Sequence, residues 1–151
     1  MDRSLFPSRM EVAWVRVYQL PYDARTIVKD TAQFDEMQGG AQVEPCSEGG
    51  LDVGWLDHRG AWMKYRVNVV AAGSYRVEYR VASLNGNGEI ALDLNAGSAF
   101  LGSVPVPQTY GWQNWTTIAH NVSLGAGWQD LAIYVNRGGF NVSWMKITPN
   151  F

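Results

Sequence analysis

An alternation of apolar and polar side chains, broken by turn signals about every eight to twelve residues, constrains this chain more than any other feature. Tyr75, Val77, Tyr79 and Val81 oppose Arg76, Glu78 and Arg80, and Met63, Tyr65, Val67 and Val69 fall on one face of the stretch from Ala61 to Val70. Successive side chains of a strand point to opposite faces, so each segment is a strand with one side on a core. Glu89 to Leu94, Trp115 to Leu124, Gln129 to Val135 and Phe140 to Ile147 extend the set, with Val12 to Tyr18 and a weaker strand from Thr26 to Ala32. Asn85-Gly86-Asn87-Gly88 reads as a hairpin, because Asn and Gly accept positive φ. Met37-Gln38-Gly39-Gly40 and Glu48-Gly49-Gly50 read as turns, and the stretch around Pro105 and Pro107 as a loop. No window of helical period competes, and the predicted class is an all-β sandwich.

Composition then excludes several functions. The 151 residues suit one domain with an appended segment. A net charge of −2 gives no basic face for nucleic acid, and no apolar run approaches the roughly 18 residues of a membrane span. The start of the chain lacks the basic and apolar regions of a signal peptide. The single Cys46 excludes an internal disulfide or a cysteine zinc cluster and reads as a packed small residue. His58 and His120 lie in unrelated segments with no nucleophile motif near them, and the carboxylates are scattered without a spacing that singles out a pair. Catalysis by this chain is not expected. The Asn-x-Ser/Thr triplets at Asn114, Asn121 and Asn141 read as chance products of turn-rich composition.

The tryptophans carry more information. In Thr109-Tyr110-Gly111-Trp112-Gln113-Asn114-Trp115-Thr116-Thr117, Trp112 precedes the alternation and falls on a loop. From this stretch alone it is either an aromatic folded back over the core or an exposed platform for a ligand. Trp62, Trp115 and Trp144 fall inside predicted strands and read as core, whereas Trp128 follows a glycine turn and is undecided.

Four stretches taken together resemble carbohydrate-binding module family 6: Glu48 to Asp57, Trp62 to Tyr65, Gly111 to Thr117 and Gly138 to Ile147, in a match spanning about residues 27 to 148. The resemblance implies a β-sandwich (jelly roll) of two antiparallel sheets that binds glycan among the loops at one end. It assigns Trp55 and Trp112 as the aromatics that sandwich a sugar ring, Asn141 as hydrogen-bond donor and Glu44 as acceptor from sugar hydroxyls. The residue types agree with that role, since a pyranose offers C–H faces to aromatics and a rim of hydroxyls to polar groups. Members hold a structural calcium through two polar residues two apart on the first strand and an Asp before the final Trp. The matching positions are Asp30, Ala32 and Ser143, so Asp30 is the one metal-ligand position retained and no cofactor is expected to be required. An extra glycine in Met37 to Glu44 is expected to shift the loop bearing Glu44.

Met10 to Gln19 resembles the last strand of glycoside hydrolase family 16 catalytic domains. The expected organisation is a catalytic-domain remnant and start of linker at 1–20, linker at 21–26 and the module at 27–151. The expected function is that of a monomeric, non-catalytic module that targets a secreted bacterial polysaccharide hydrolase, extracellular or at the cell surface, to its substrate. The expected partners are the covalently linked catalytic domain and a polysaccharide, with no nucleic acid and no membrane. β-1,3-glucan of the laminarin type is the expected ligand, with agarose or another galactan second. The expected parent enzyme is correspondingly a β-1,3-glucanase or an agarase. A structural spacer that binds no sugar is the alternative of another class.

Overall fold

The computed structural model describes residues 25–151, which form eleven strands and no α-helix. The strand expected at Val12 to Tyr18 and the hydrolase-like stretch lie outside the described residues. In chain order the strands are β1 (Ile27–Asp30), β2 (Glu36–Gln38), β3 (Gln42–Pro45), β4 (Leu51–Leu56), β5 (Trp62–Val69), β6 (Gly73–Ala82), β7 (Gly88–Leu94), β8 (Ala99–Val106), β9 (Thr116–Leu124), β10 (Gly127–Arg137) and β11 (Phe140–Pro149). One sheet runs β3-β4-β11-β6-β9, with β1 also on β11, and the other runs β2-β5-β10-β7-β8. Every pairing is antiparallel, as the expected sandwich requires.

The alternation places the core as expected. Tyr75, Val77 and Tyr79 on β6 and Met63, Tyr65 and Val67 on β5 are all buried between the sheets. Each fully buried aliphatic or aromatic side chain of this kind contributes about 1.5–3 kcal/mol. The buried tyrosines also satisfy their hydroxyls: Tyr65 donates to the Thr31 carbonyl at 2.7 Å, and Tyr79 pairs with His120 Nε2 at 2.9 Å.

Several expectations are corrected. Asn85 to Gly88 takes the positive φ expected at Gly86 (76°) and Asn87 (68°), but it is no hairpin. It carries the chain from β6 in one sheet to β7 in the other, since turn residues report local backbone and not which strands pair. The stretch ending at Pro105 is not all loop: Ala99–Val106 is β8, an edge strand, where a proline without N–H is tolerated. The short strands β2, β3 and β4 carried no alternation long enough to read. Trp62, Trp115 and Trp144 are half-buried and outside the core. Trp62 and Trp144 occupy the outward phase of their strands, and Trp115 precedes β9 and donates its indole N–H to Ser47 Oγ at 2.9 Å. Trp128, the undecided one, is 64% exposed with the Arg66 guanidinium 5.4 Å from its ring.

Candidate functional site

Three connections meet where β4 ends and where β9 and β11 begin, and together they form a cleft of about 210 Å³. Glu44, Trp55, Trp112 and Asn141 line it, and Asp57 is a fifth lining residue that sequence reasoning did not single out. The volume lies below the roughly 300 Å³ at which pockets for drug-sized ligands begin. It suits one ring of a polymer.

Trp55 is presented by a backbone irregularity. Between Val53 and Leu56, β4 spends three steps while β11 spends two from Val142 to Phe140, so β4 bulges. Trp55 sits in that bulge at φ 59°, with its side chain 57% exposed while Val53 and Leu56 on either side are fully buried. A bulky residue in the left-handed region costs on the order of 1–2 kcal/mol, and bulges commonly re-aim a side chain. Gly54 makes the floor. A Cβ there would lie 2.7 Å from Glu44 Oε1 and 2.9 Å from Asn141 Oδ1, so a larger residue would push these side-chain ends out of their present places. Gly138 has a similar reason, since a Cβ there would lie 2.4 Å from the backbone of Asp57.

Trp112 is on a loop and 40% exposed. The loop is pinned at both ends. Thr109 bonds the backbone N–H and carbonyl of Ser83 at the end of β6, and Asn114 Nδ2 donates to the Thr109 carbonyl at 3.1 Å. Ser83, fully buried, also donates its hydroxyl to the Gly139 carbonyl at 2.6 Å and accepts from Gly86 N–H at 2.9 Å, so its hydroxyl ties two connections and its backbone the third.

Gln113 joins this loop to the β3–β4 hairpin. Its Nε2 donates to Glu44 Oε2 at 3.1 Å and to Asp52 Oδ2 at 3.0 Å, while its Oε1 accepts from Ser47 N–H at 2.7 Å. Asn141 is buried at the start of β11, and its Nδ2 donates to Glu44 Oε2 at 3.2 Å and to the Trp112 carbonyl at 2.7 Å. Both amide N–H groups of Asn141 are thus turned to protein oxygens, unlike the donor role the resemblance implied. The polar atom left to it is Oδ1. Asp52, directly opposite Glu44 in the β3–β4 ladder, is fully buried. Burial is the largest cause and, with the nearby Glu44 carboxylate, pushes its pKa up to about 7, against lowering by the Gln113 hydrogen bond and, less, by the Cys46 thiol. Asp52, Gln113, Gly54 and Ser83 were not singled out from the sequence. Gln113, Gly54 and Asp52 lay inside quoted motifs and Ser83 outside them, but the roles of Asp52 and Ser83 come from burial and register that no motif signals.

The residues at the implied calcium position do not fit that ion. Asp30 is exposed, Ala32 has no side-chain oxygen, and the Ser143 hydroxyl accepts from Cys46 Sγ at 3.6 Å. The Thr31 hydroxyl hydrogen-bonds to the Val142 and Ser143 carbonyls, at 2.5 and 3.0 Å, where a cation would need oxygens alone. Glu48, beside the same recess, is held by Arg80 in a two-point ion pair at 2.9 and 2.7 Å. Among the described residues no three His, Cys, Asp or Glu cluster, whereas calcium takes six to eight oxygens.

The family model for carbohydrate binding module (family 6) matches residues 32–149. Over 125 residues the chain is 45% identical to the clotting factor G alpha subunit of Tachypleus tridentatus, covering 81% of this chain and 18% of that protein. Among solved structures, the C-terminal CBM6 of LamC, a marine laminarinase from Zobellia galactanivorans, is 41% identical with a TM-score of 0.78, covering 82% of this chain and 99% of that one. The module CBM6cm-2 from Cellvibrio mixtus lichenase 5A, solved with cellotriose, is 37% identical with a TM-score of 0.79 over 83% and 98%. A β-1,3-glucan-binding CBM6 from Bacillus halodurans is 30% identical with a TM-score of 0.74 over 82% and 96%.

Proposed function

This chain belongs to carbohydrate-binding module family 6, a family of non-catalytic binding modules, and from that premise we propose that it holds a β-1,3-glucan of the laminarin type in the cleft between Trp55 and Trp112. The observation that carries this reading is the convergence of two exposed indoles with a carboxylate and an amide on one ring-sized recess. The indoles take the C–H faces of a pyranose, and Glu44 accepts from its hydroxyls. The linkage is argued from two neighbours, one named for β-1,3-glucan binding and one belonging to a laminarinase. The Cellvibrio module's cellotriose makes a β-1,4-glucan the reading to test against it.

In the same proposal, the module is part of a secreted polysaccharide hydrolase and keeps its catalytic domain on substrate, with the hydrolase-like stretch at Met10 to Gln19 as the support. Affinity electrophoresis of the full chain through gels containing laminarin, hydroxyethyl cellulose or agarose tests the ligand. Retardation by laminarin above the other two is expected. Stronger retardation by cellulose or agarose would reassign the glycan, and free migration through all three would leave the spacer reading.

A further inference from the structure

A buried carboxyl in the wall of the cleft is left with an unanswered atom. Asp52 has no exposed surface, and its Oδ1 has no hydrogen-bond partner. The nearby amide donors are already spent, and the Cys46 thiol, bonded to the Ser143 hydroxyl, favours the ionised form of Asp52 only weakly. Gln113 Nε2 sends its two N–H groups to Asp52 Oδ2 and Glu44 Oε2, and Asn141 Nδ2 sends its pair to Glu44 Oε2 and the Trp112 carbonyl. An ionised Asp52 would keep a fully buried oxygen without a donor, directly across the ladder from a second carboxylate. A proton on Oδ1 removes both conflicts, because it converts the orphan acceptor into a donor and Glu44 is the acceptor opposite.

Resting on the sugar-binding reading above, we propose that Asp52 is a positioning residue of the glycan site: protonated, it donates to the Glu44 carboxylate and, with Gln113, holds Glu44 in place to accept from a sugar hydroxyl. The surroundings agree. From β3, Glu44 and the Cys46 thiol face Asp52; the Trp112 loop contributes the neutral Gln113, and β11 the neutral Ser143 bonded to Cys46. No cation is among the groups acting on Asp52, and Arg80 on β6, which reaches this hairpin, is engaged by Glu48. With its pKa pushed up to about 7, Asp52 keeps its proton in mildly acidic solution and loses it to solvent in mildly alkaline solution. The two carboxylates then repel across one amide nitrogen, and Glu44 leaves its place.

The test is calorimetric titration of the full chain with laminarin at about pH 6 and about pH 8, with carboxyl ¹³C NMR of the ligand-free protein alongside. Apparent affinity scales with the competent fraction, so the wild type is expected to bind about tenfold more weakly at the higher pH. Asp52→Asn puts an amide N–H where the acid proton was, so it is expected to lose that pH dependence and bind more tightly than the wild type at about pH 8. The Asp52 carboxyl resonance is expected to titrate near neutrality. Laminarin binding that stays level across this range, or an Asp52 resonance that titrates in the ordinary carboxylate range, would overturn the positioning role while leaving the function intact. Failure of every glycan to bind at either pH would overturn the function and this role with it.

Discussion

At the scale of the residue, the cleft separates side chains proposed to touch a ligand from those that hold them. Trp112 is 40% exposed and only its loop is pinned, so Trp112→Ala is predicted to weaken glycan binding by about 2 kcal/mol or more. Its folding cost should fall well under the roughly 3–5 kcal/mol of a buried aromatic. Calorimetry and urea denaturation on the one variant decide, and a destabilised protein that still binds would count against the site. Gly54→Ala makes the opposite kind of probe. It adds no chemistry but puts a methyl 2.7 Å from Glu44 Oε1, so binding should be lost while the strand remains, at about 1–3 kcal/mol of overpacking. The four proposed contact residues were read through the family resemblance, since the stretches around them match its motifs, and of the four only Trp112 stood out on its own as an indole ahead of a strand. Asp52 and Ser83 were not legible, because a buried Asp and a buried Ser look like any turn residues until register and burial are known.

At the scale of the element, β1 is the piece whose attachment needs explaining. It pairs only with β11, from Ile27 opposite Ile147 to Asp30 opposite Trp144, and Thr31 closes the pairing with its N–H and hydroxyl. The positions that the family resemblance implies for calcium, Asp30, Ala32 and Ser143, hold one carboxylate among them. Chelation with EDTA is therefore predicted to move Tm by less than a few degrees, and a fall of about 10 °C, over 1 kcal/mol for a domain this size, would contradict it. Thr31→Val should instead cost about 1–3 kcal/mol, because the Val142 carbonyl loses the hydroxyl while the Ser143 carbonyl keeps the backbone N–H. Differential scanning calorimetry with and without chelator checks both. The long strands β5, β6, β9, β10 and β11 were legible because each alternates over many residues. The short β2 and β3 were not, and β4 defeats alternation outright, with Asp52, Val53 and Gly54 all buried in succession. The hairpin reading of Asn85 to Gly88 failed for a different reason: a turn signal fixes φ, but only the partner strands decide whether the chain folds back or crosses between sheets.

At the scale of the whole molecule, a buried and a half-buried titrating group tilt stability in opposite directions. The folded-state pKa of Asp52 is raised, so its contribution is fully present below the ordinary carboxylate range and is lost as pH rises to about 7. His120, packed on Tyr79, has its pKa lowered by burial, so its contribution is present above about 6.5 and is lost as pH falls through the lowered value. Asp52→Asn is predicted to gain stability relative to the wild type as pH rises from about 5 to about 8. Urea midpoints at the two pH values measure it, and an equal gap at both would be the contrary result. The sandwich class was readable in the sequence as a whole because alternation implies two faces. The order of strands within each sheet was not, because cross-strand pairing is a long-range property.

The ends of the described residues meet far from the cleft. The Arg25 guanidinium lies 5.3 Å from the Phe151 ring, beside Tyr75, and Pro149 is opposite Tyr75 in the ladder, whereas Asn141 at the site is opposite Ala82 at the other end of β6. Along β11 that is roughly 20 Å or more of strand between them. The molecule therefore has a gripping pole and an anchoring pole. Tethered to a bead or a fluorophore through residue 151, it would face outward with its cleft unobstructed. Joining residues 25 and 151 with a short linker and reopening the chain at the exposed turn around Ala96 would give a circular permutant that keeps the grip, which makes the module a portable stain for the glycan it holds.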